Sequence, residues 1–252
     1  MRNIFGRISA LENPPPWSTL AALGGVVVSF AATVLGSFIV LALLGDKQYK
    51  ELAAWTIGAV LTIIFVYIRF GKPEQRAALH LGGGGNVVMV QQAFLMLLIG
   101  VGLSVALDVV SGRVTSGFLP EPELTYLYNA VTINRGTITV LSWIFAVLFM
   151  VIAQPIAEEL IFRGVLLSSL RSMIGAWPGY ILSALLYALF HLIAYGSSIS
   201  DFNGLWYGQV LPFVGGLIFG AVRLTTGSTR AAILAHVGFG LFAVVKMLTL
   251  AG

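Results

Sequence analysis

Residues Thr137 to Ala157 run for 21 positions without a charge, and the chain then places Glu158, Glu159 and Arg163 within six residues. Gly164 to Leu170 is again uncharged. A single Asp, Lys or Arg at the middle of a membrane helix costs roughly 2.5–3.5 kcal/mol on insertion scales, so three charges in an apolar setting call for a reason. Glu159 and Arg163 are four apart, on one helical face and within reach of each other. Glu158 lies about 100° further round and has no obvious local partner. One carboxylate reads as held and the other as free to act.

The rest of the chain fits a bilayer. Of its 252 residues, 58% are hydrophobic and only 10% charged, and the mean hydropathy is +0.95. These values exclude an ordinary soluble domain and point to an all-α polytopic transmembrane bundle, because backbone polar groups in lipid must be satisfied within helices. With no cysteine, disulfides, thiolate nucleophiles and Cys-based metal sites are ruled out. A net charge of +4, with the bases between spans, reads as topology signal and not as a nucleic-acid surface. The first apolar run, Ser18 to Leu44, is 27 residues long, too long for a cleavable signal core.

Seven spans are expected: Ser18–Leu44, Leu52–Ile68, Val87–Leu107, one beginning at Thr137, Trp177–Tyr195, Gln209–Val222 and Ala231–Leu250. Trp17 marks an interface after a polar lead. Gly82 to Gly85 read as a flexible joint, since no Lys-Ser/Thr follows to make a phosphate loop. Gln91 and Gln92 read as interhelical hydrogen-bonders, and Gly216-x-x-x-Gly220 as a close helix contact. Ser197, Ser198, Ser200, Asp201 and Asn203 form a polar loop. The division expected is a three-span N-terminal region, 1–136, and a four-span catalytic core, 137–252. An odd span count puts the termini on opposite sides. Nine Lys or Arg fall on the N-terminal side (Arg2, Arg7, Arg69, Lys72, Arg76, Arg163, Arg171, Arg223, Arg230) and five on the other (Lys47, Lys50, Arg113, Arg135, Lys246). The positive-inside rule then makes the N-terminus cytoplasmic.

Depth brings the remaining polar residues together. If the fourth helix continues to Ser172, bent at Pro155, then Glu158, His191 and His236 all lie roughly 12–21 Å from the N-terminal face at 1.5 Å per residue. A carboxylate and two histidines at one level suggest water activation, with the glutamate as base and the histidines holding the water and stabilising an oxyanion.

These residues carry a resemblance. Glu158-Glu159-x-x-x-Arg163, set in Pro-Ile-Ala-Glu-Glu-Leu-Ile-Phe-Arg-Gly-Val-Leu, resembles the first motif of the CPBP family, the CAAX-processing and bacteriocin-immunity intramembrane proteases. Tyr187-Ala-Leu-Phe-His191 is similar to its second motif, with Tyr where Phe is usual. His236-Val-Gly-Phe-Gly240 is similar to the third, except that Gly240 replaces the family's Asn or Asp. The resemblance covers about Thr137 to Leu250. It implies an intramembrane glutamate protease in which Glu158 and His191 activate water, His236 stabilises the oxyanion, and Glu159 and Arg163 hold the site. It implies no cofactor and no metal ion, a membrane-associated peptide or protein as substrate, and residence in a bacterial inner membrane. The alternatives are a catalytically silent relative that binds a membrane partner, which Gly240 favours, and a small transporter or proton relay, which the lack of an inverted repeat disfavours.

Overall fold

In the computed structural model of the chain, the described residues are 3–45, 47–82, 86–115, 117–132, 136–195 and 201–251, with side chains described from 90 onward in the third of these stretches after its break. They form ten helices, one short 3-10 turn (Pro122–Leu124) and no strand: α1 (Ile4–Ser9), α2 (Thr19–Leu44), α3 (Lys50–Arg69), α4 (Pro73–Ala78), α5 (Asn86–Val114), α6 (Thr125–Thr132), α7 (Val140–Ile174), α8 (Ala176–Ala194), α9 (Phe202–Thr226) and α10 (Thr229–Ala251). Seven of them, α2, α3, α5 and α7 to α10, are long and apolar enough to cross a membrane. The glycine joint at 83–85, Ser197, Ser198 and Ser200, and the loop charges Arg2, Asp46 and Arg135 lie outside the described residues.

The fourth span is one helix, as the depth argument requires. Thr139 starts it: its hydroxyl accepts the Ser142 backbone N–H at 3.2 Å, satisfying one of the orphan donors of a helix N-terminus. Gly175 ends it at φ 96, a left-handed conformation that a side chain would strain, and the chain reverses directly into α8. Between these ends the helix widens twice, over Leu148–Ala153 and Leu160–Leu166, where the Gln154 and Leu167 N–H groups reach back five residues to the carbonyls of Phe149 and Phe162. The first wide turn ends two residues before Pro155, which has no N–H to give. The second contains Arg163. Such π-turns rotate everything beyond them relative to a regular helix, and they concentrate at functional positions.

Two spans run further than their hydropathy suggested. The third continues through Asp108 and Arg113 to Val114, and the sixth spans Phe202–Thr226 instead of Gln209–Val222. Asp108 is tolerated inside α5 because the Lys246 ammonium meets it at 2.6 Å. The sixth span begins early because Asp201 caps it, accepting the Gly204 N–H at 2.7 Å. Gln91 and Gln92 are not interhelical hydrogen-bonders: both side chains are exposed, within two turns of the start of α5. The Gly216 contact does form, since a Cβ there would lie 3.0 Å from Ala184 on α8.

Arg163, Arg171, Arg223 and Lys246 are not loop charges but buried helix residues. The polar lead explains two of them. It folds as α1 and packs on α8 and α9, and Arg171 donates to the Ile8 and Ala10 carbonyls at 2.7 and 2.6 Å. Arg223 makes a two-pronged pair with Glu12 at 2.9 and 3.1 Å. Trp17 is anchored on α7, donating to Ser169 Oγ at 2.9 Å.

Candidate active site

The middle of α7 meets α8, α9 and α10 at a buried polar centre. Glu159 is fully buried, and Glu158, Arg163, His191 and His236 are each less than a tenth exposed. The clasp expected from the four-residue spacing is present: Arg163 donates to Glu159 Oε1 at 2.9 Å. Its other terminal nitrogen donates to the Gly216 carbonyl at 3.2 Å, and the guanidinium lies 4.2 Å from the centre of the Tyr187 ring. Arg163 thus ties α7 to both α8 and α9.

Glu159 also reaches α10. Its Oε1 is 3.0 Å from His236 Nδ1, and because a carboxylate held by an arginine accepts here, Nδ1 carries the proton and Nε2 is left as the open nitrogen. Phe219 stacks on the same imidazole at 4.4 Å between centroids and 17° between planes, fixing its orientation.

Glu158 is not free, contrary to the sequence reading. The Tyr187 hydroxyl donates to its Oε2 at 2.8 Å and the Tyr195 hydroxyl to its Oε1 at 2.5 Å. Both tyrosines belong to the α8 segment, so the partners are one helix away and invisible to local spacing. Tyr187, which stands where the resembled motif has Phe, therefore contributes through its hydroxyl. The Tyr195 ring is itself set by edge contacts with Trp55 of α3 and Phe149 of α7. His191 Nε2 lies 3.7 Å from Glu158 Oε2, beyond a direct hydrogen bond but within reach of a shared water.

Three further residues arrive that the sequence did not single out. Glu123, from the turn before α6, puts Oε1 3.8 Å from His191 Nε2. Gln154 donates to that same Oε1 at 3.2 Å. Tyr195 is the third. Two signals could have found some of them: Gln154 precedes Glu158 by one helical turn, and Tyr187, His191 and Tyr195 recur at spacings of four. Nothing local marks Glu123.

A cavity of about 100 Å³ extends from His191, His236, Gln154 and Glu123 along α10 to Lys246, Asp108 and Glu121. His236 and Lys246 are ten residues apart, or about 15 Å of helix. Burial pushes the Glu121 carboxyl up, opposed by Lys246. Gly240 lines the cavity, but a Cβ there would run into the Met150 carbonyl of α7, so this position is a point of helix contact. Asn203 lines a different cavity, with Asp201 and Tyr195. Among the described residues, no three His, Asp or Glu side chains converge as a metal-holding group.

Residues 140–242 match the family model described as Type II CAAX prenyl endopeptidase Rce1-like. No curated protein and no solved structure matches the chain. The matched segment holds all the motif positions named above, from Glu158 to Gly240, and is similar to the Rce1-like family, in agreement with the CPBP resemblance.

Proposed function

We propose that the chain is an intramembrane endopeptidase that cleaves membrane-associated peptides or proteins with a water molecule activated by Glu158 and His191. The observation that carries this reading is the 3.7 Å approach of Glu158 Oε2 to His191 Nε2 inside an apolar bundle. The family match supports protease chemistry of the CAAX endopeptidase kind.

In this reading the water's O–H bond breaks as its oxygen bonds to the substrate carbonyl carbon, and the proton passes to the Glu158–His191 pair. The carbonyl oxygen takes on negative charge next to His236, whose ring is held by Glu159 and Phe219. The C–N bond then breaks, the stored proton goes to the leaving nitrogen, and a carboxylic acid, which ionises by releasing its own proton to water, and an amine depart. Glu159 and Arg163 hold the site without touching substrate. Burial makes each of these interactions stronger than it would be in water.

The catalytic core proposed is 137–252, with 1–136 as a supporting three-span region. The N-terminus is assigned to the cytoplasmic side of a bacterial inner membrane. No cofactor, metal ion or nucleic acid takes part. The family's name makes a prenylated CAAX peptide the first substrate to try. The test is to compare proteolytic products in membranes with and without the protein. New cleavage products from membrane-associated substrates support the reading, and identical product sets in the presence of folded protein oppose it.

A further inference from the structure

Glu123 and Glu158 are both about 95% buried, at 5% and 4% exposure. Among the described residues, the one group within 4 Å of either that can carry positive charge is His191. Arg163 is committed to Glu159. Two buried carboxylates thus face one imidazole at near-equal distances, while the other nearby imidazole, His236, is held by Glu159. An uncompensated buried charge is strongly unfavourable, and the near-equal distances let one proton be shared among the three groups.

The hydrogen bonds define where that proton can lie. His191 Nδ1 is 3.2 Å from the Tyr187 carbonyl, which can only accept, so Nδ1 bears a hydrogen and Nε2 is the nitrogen that faces the carboxylates. Nε2 is 3.7 Å from Glu158 Oε2 and 3.8 Å from Glu123 Oε1. Each carboxylate is fixed by neutral donors: two tyrosine hydroxyls on Glu158, and the Gln154 amide on Glu123. Gln154 itself is 2% exposed. It lies one turn beyond Met150, whose carbonyl closes against the bare backbone of Gly240. At Gly240 itself the cavity wall is backbone, closed by the Met150 carbonyl of α7.

We propose that Glu123 is a positioning residue for His191 and the third member of a proton-sharing group, Glu158–His191–Glu123, with Gln154 as its anchor. This deepens the protease reading and rests on it for its chemical meaning. The water proton enters the group as the C–O bond forms and leaves it for the departing nitrogen as the C–N bond breaks. Glu123 keeps the imidazole aligned and its charge compensated between those two events. The turn at Pro122–Leu124 is then part of the reaction centre and not merely a connection between spans.

The chain has three histidines, so ring ¹⁵N spectra of histidine-labelled protein in detergent are sparse and assignable through His80→Gln and His236→Asn. In Glu123→Gln, the proposal expects the His191 ring signals to move while those of His80 and His236 stay. With a cleaved substrate in hand, kcat falls about tenfold or more, short of the 100-fold or greater loss for a general base itself, while KM changes less than twofold and the unfolding temperature holds. Gln154→Met, which keeps volume and removes the amide, should reproduce the same pattern, and combining the two should add little. His191 signals that stay in place in either folded variant would overturn the proposal, as would a loss of kcat that merely tracks a loss of stability. Glu158→Gln run alongside separates the two readings. If it still cleaves, the protease mechanism falls. If it is inactive while Glu123→Gln is unaffected in spectrum and rate, only the role of Glu123 falls.

Discussion

Glu159 Oε1 accepts from Arg163 at 2.9 Å and lies 3.0 Å from His236 Nδ1, so one buried oxygen joins the middle of α7 to the middle of α10. The second carboxylate oxygen of Glu159 is buried without a hydrogen-bond partner among the described protein groups. The residue is spent on holding its neighbours.

Replacing Glu159 by Gln therefore removes the counter-charge of a fully buried arginine. Breaking one side of such a pair typically costs about 3–5 kcal/mol. The expected outcome is a clear drop in thermal unfolding temperature in detergent, together with loss of activity as His236 loses its anchor. An unfolding temperature equal to the parent's would show that Arg163 finds compensation elsewhere.

Gly240→Asn is expected to harm the protein. By sequence alone, an amide at this position reads as a missing oxyanion donor and a route to faster cleavage. The contact with the Met150 carbonyl reverses that expectation, because the two backbones touch where the side chain would start. Overpacking of this kind costs about 1–3 kcal/mol, and more when backbone must move. Both Gly240→Ala and Gly240→Asn should lower the unfolding temperature without raising turnover, and a faster, equally stable Gly240→Asn enzyme would contradict the packing role.

Much of this arrangement was legible in the sequence. Hydropathy gave seven spans, and counting residues from their ends placed Glu158, His191 and His236 at one level, where α7, α8 and α10 do bring them together. Local spacing found the Glu159–Arg163 clasp because both partners sit on one helix. What it missed has a common cause: the deciding partner comes from another element. Glu158 looked free because Tyr187 is on α8 and Tyr195 caps its end, and Asp108 looked like a loop residue because Lys246 is on α10. Glu123 reaches the site only through the path of a turn, and the crowding at Gly240 depends on how closely α7 and α10 approach.

Acid should destabilise the N-terminal-face loops through His80. Burial, and then the nearby Arg223 guanidinium, lower its pKa against a smaller opposing effect of Glu12. A histidine lowered in the folded state favours its neutral form there, so its contribution to stability is present above the ordinary value of about 6.5 and is lost as pH falls through the lowered one. Thermal unfolding followed from neutral to mildly acidic pH should show a decline that His80→Gln reduces. A decline of equal size in the variant would assign the acid sensitivity to other groups.

Topology is testable with reporter fusions at the two ends of the chain. With Arg163, Arg171, Arg223 and Lys246 buried in helices, the remaining cations are Arg2, Arg7, Arg69, Lys72, Arg76 and Arg230 on the N-terminal side against Lys47, Lys50, Arg113 and Arg135 on the other. The bias keeps its direction, so the N-terminal reporter should be cytoplasmic and the C-terminal one outside. Reporters on the same side would mean that one of the seven helices does not cross.

The central claim is that Glu158 activates water while Glu159 only supports. The most direct measurement compares Glu158→Gln with the parent protein, reconstituted in liposomes, for both cleavage of a membrane-associated peptide and thermal unfolding. Gln keeps the shape of the carboxylate: its oxygen can accept one of the two tyrosine hydroxyls, and its amide nitrogen can donate to the oxygen of the other. The account predicts an unfolding temperature close to the parent's with cleavage reduced at least about 100-fold, the scale of a lost general base. A folded Glu158→Gln protein that cleaves at the parental rate would contradict it.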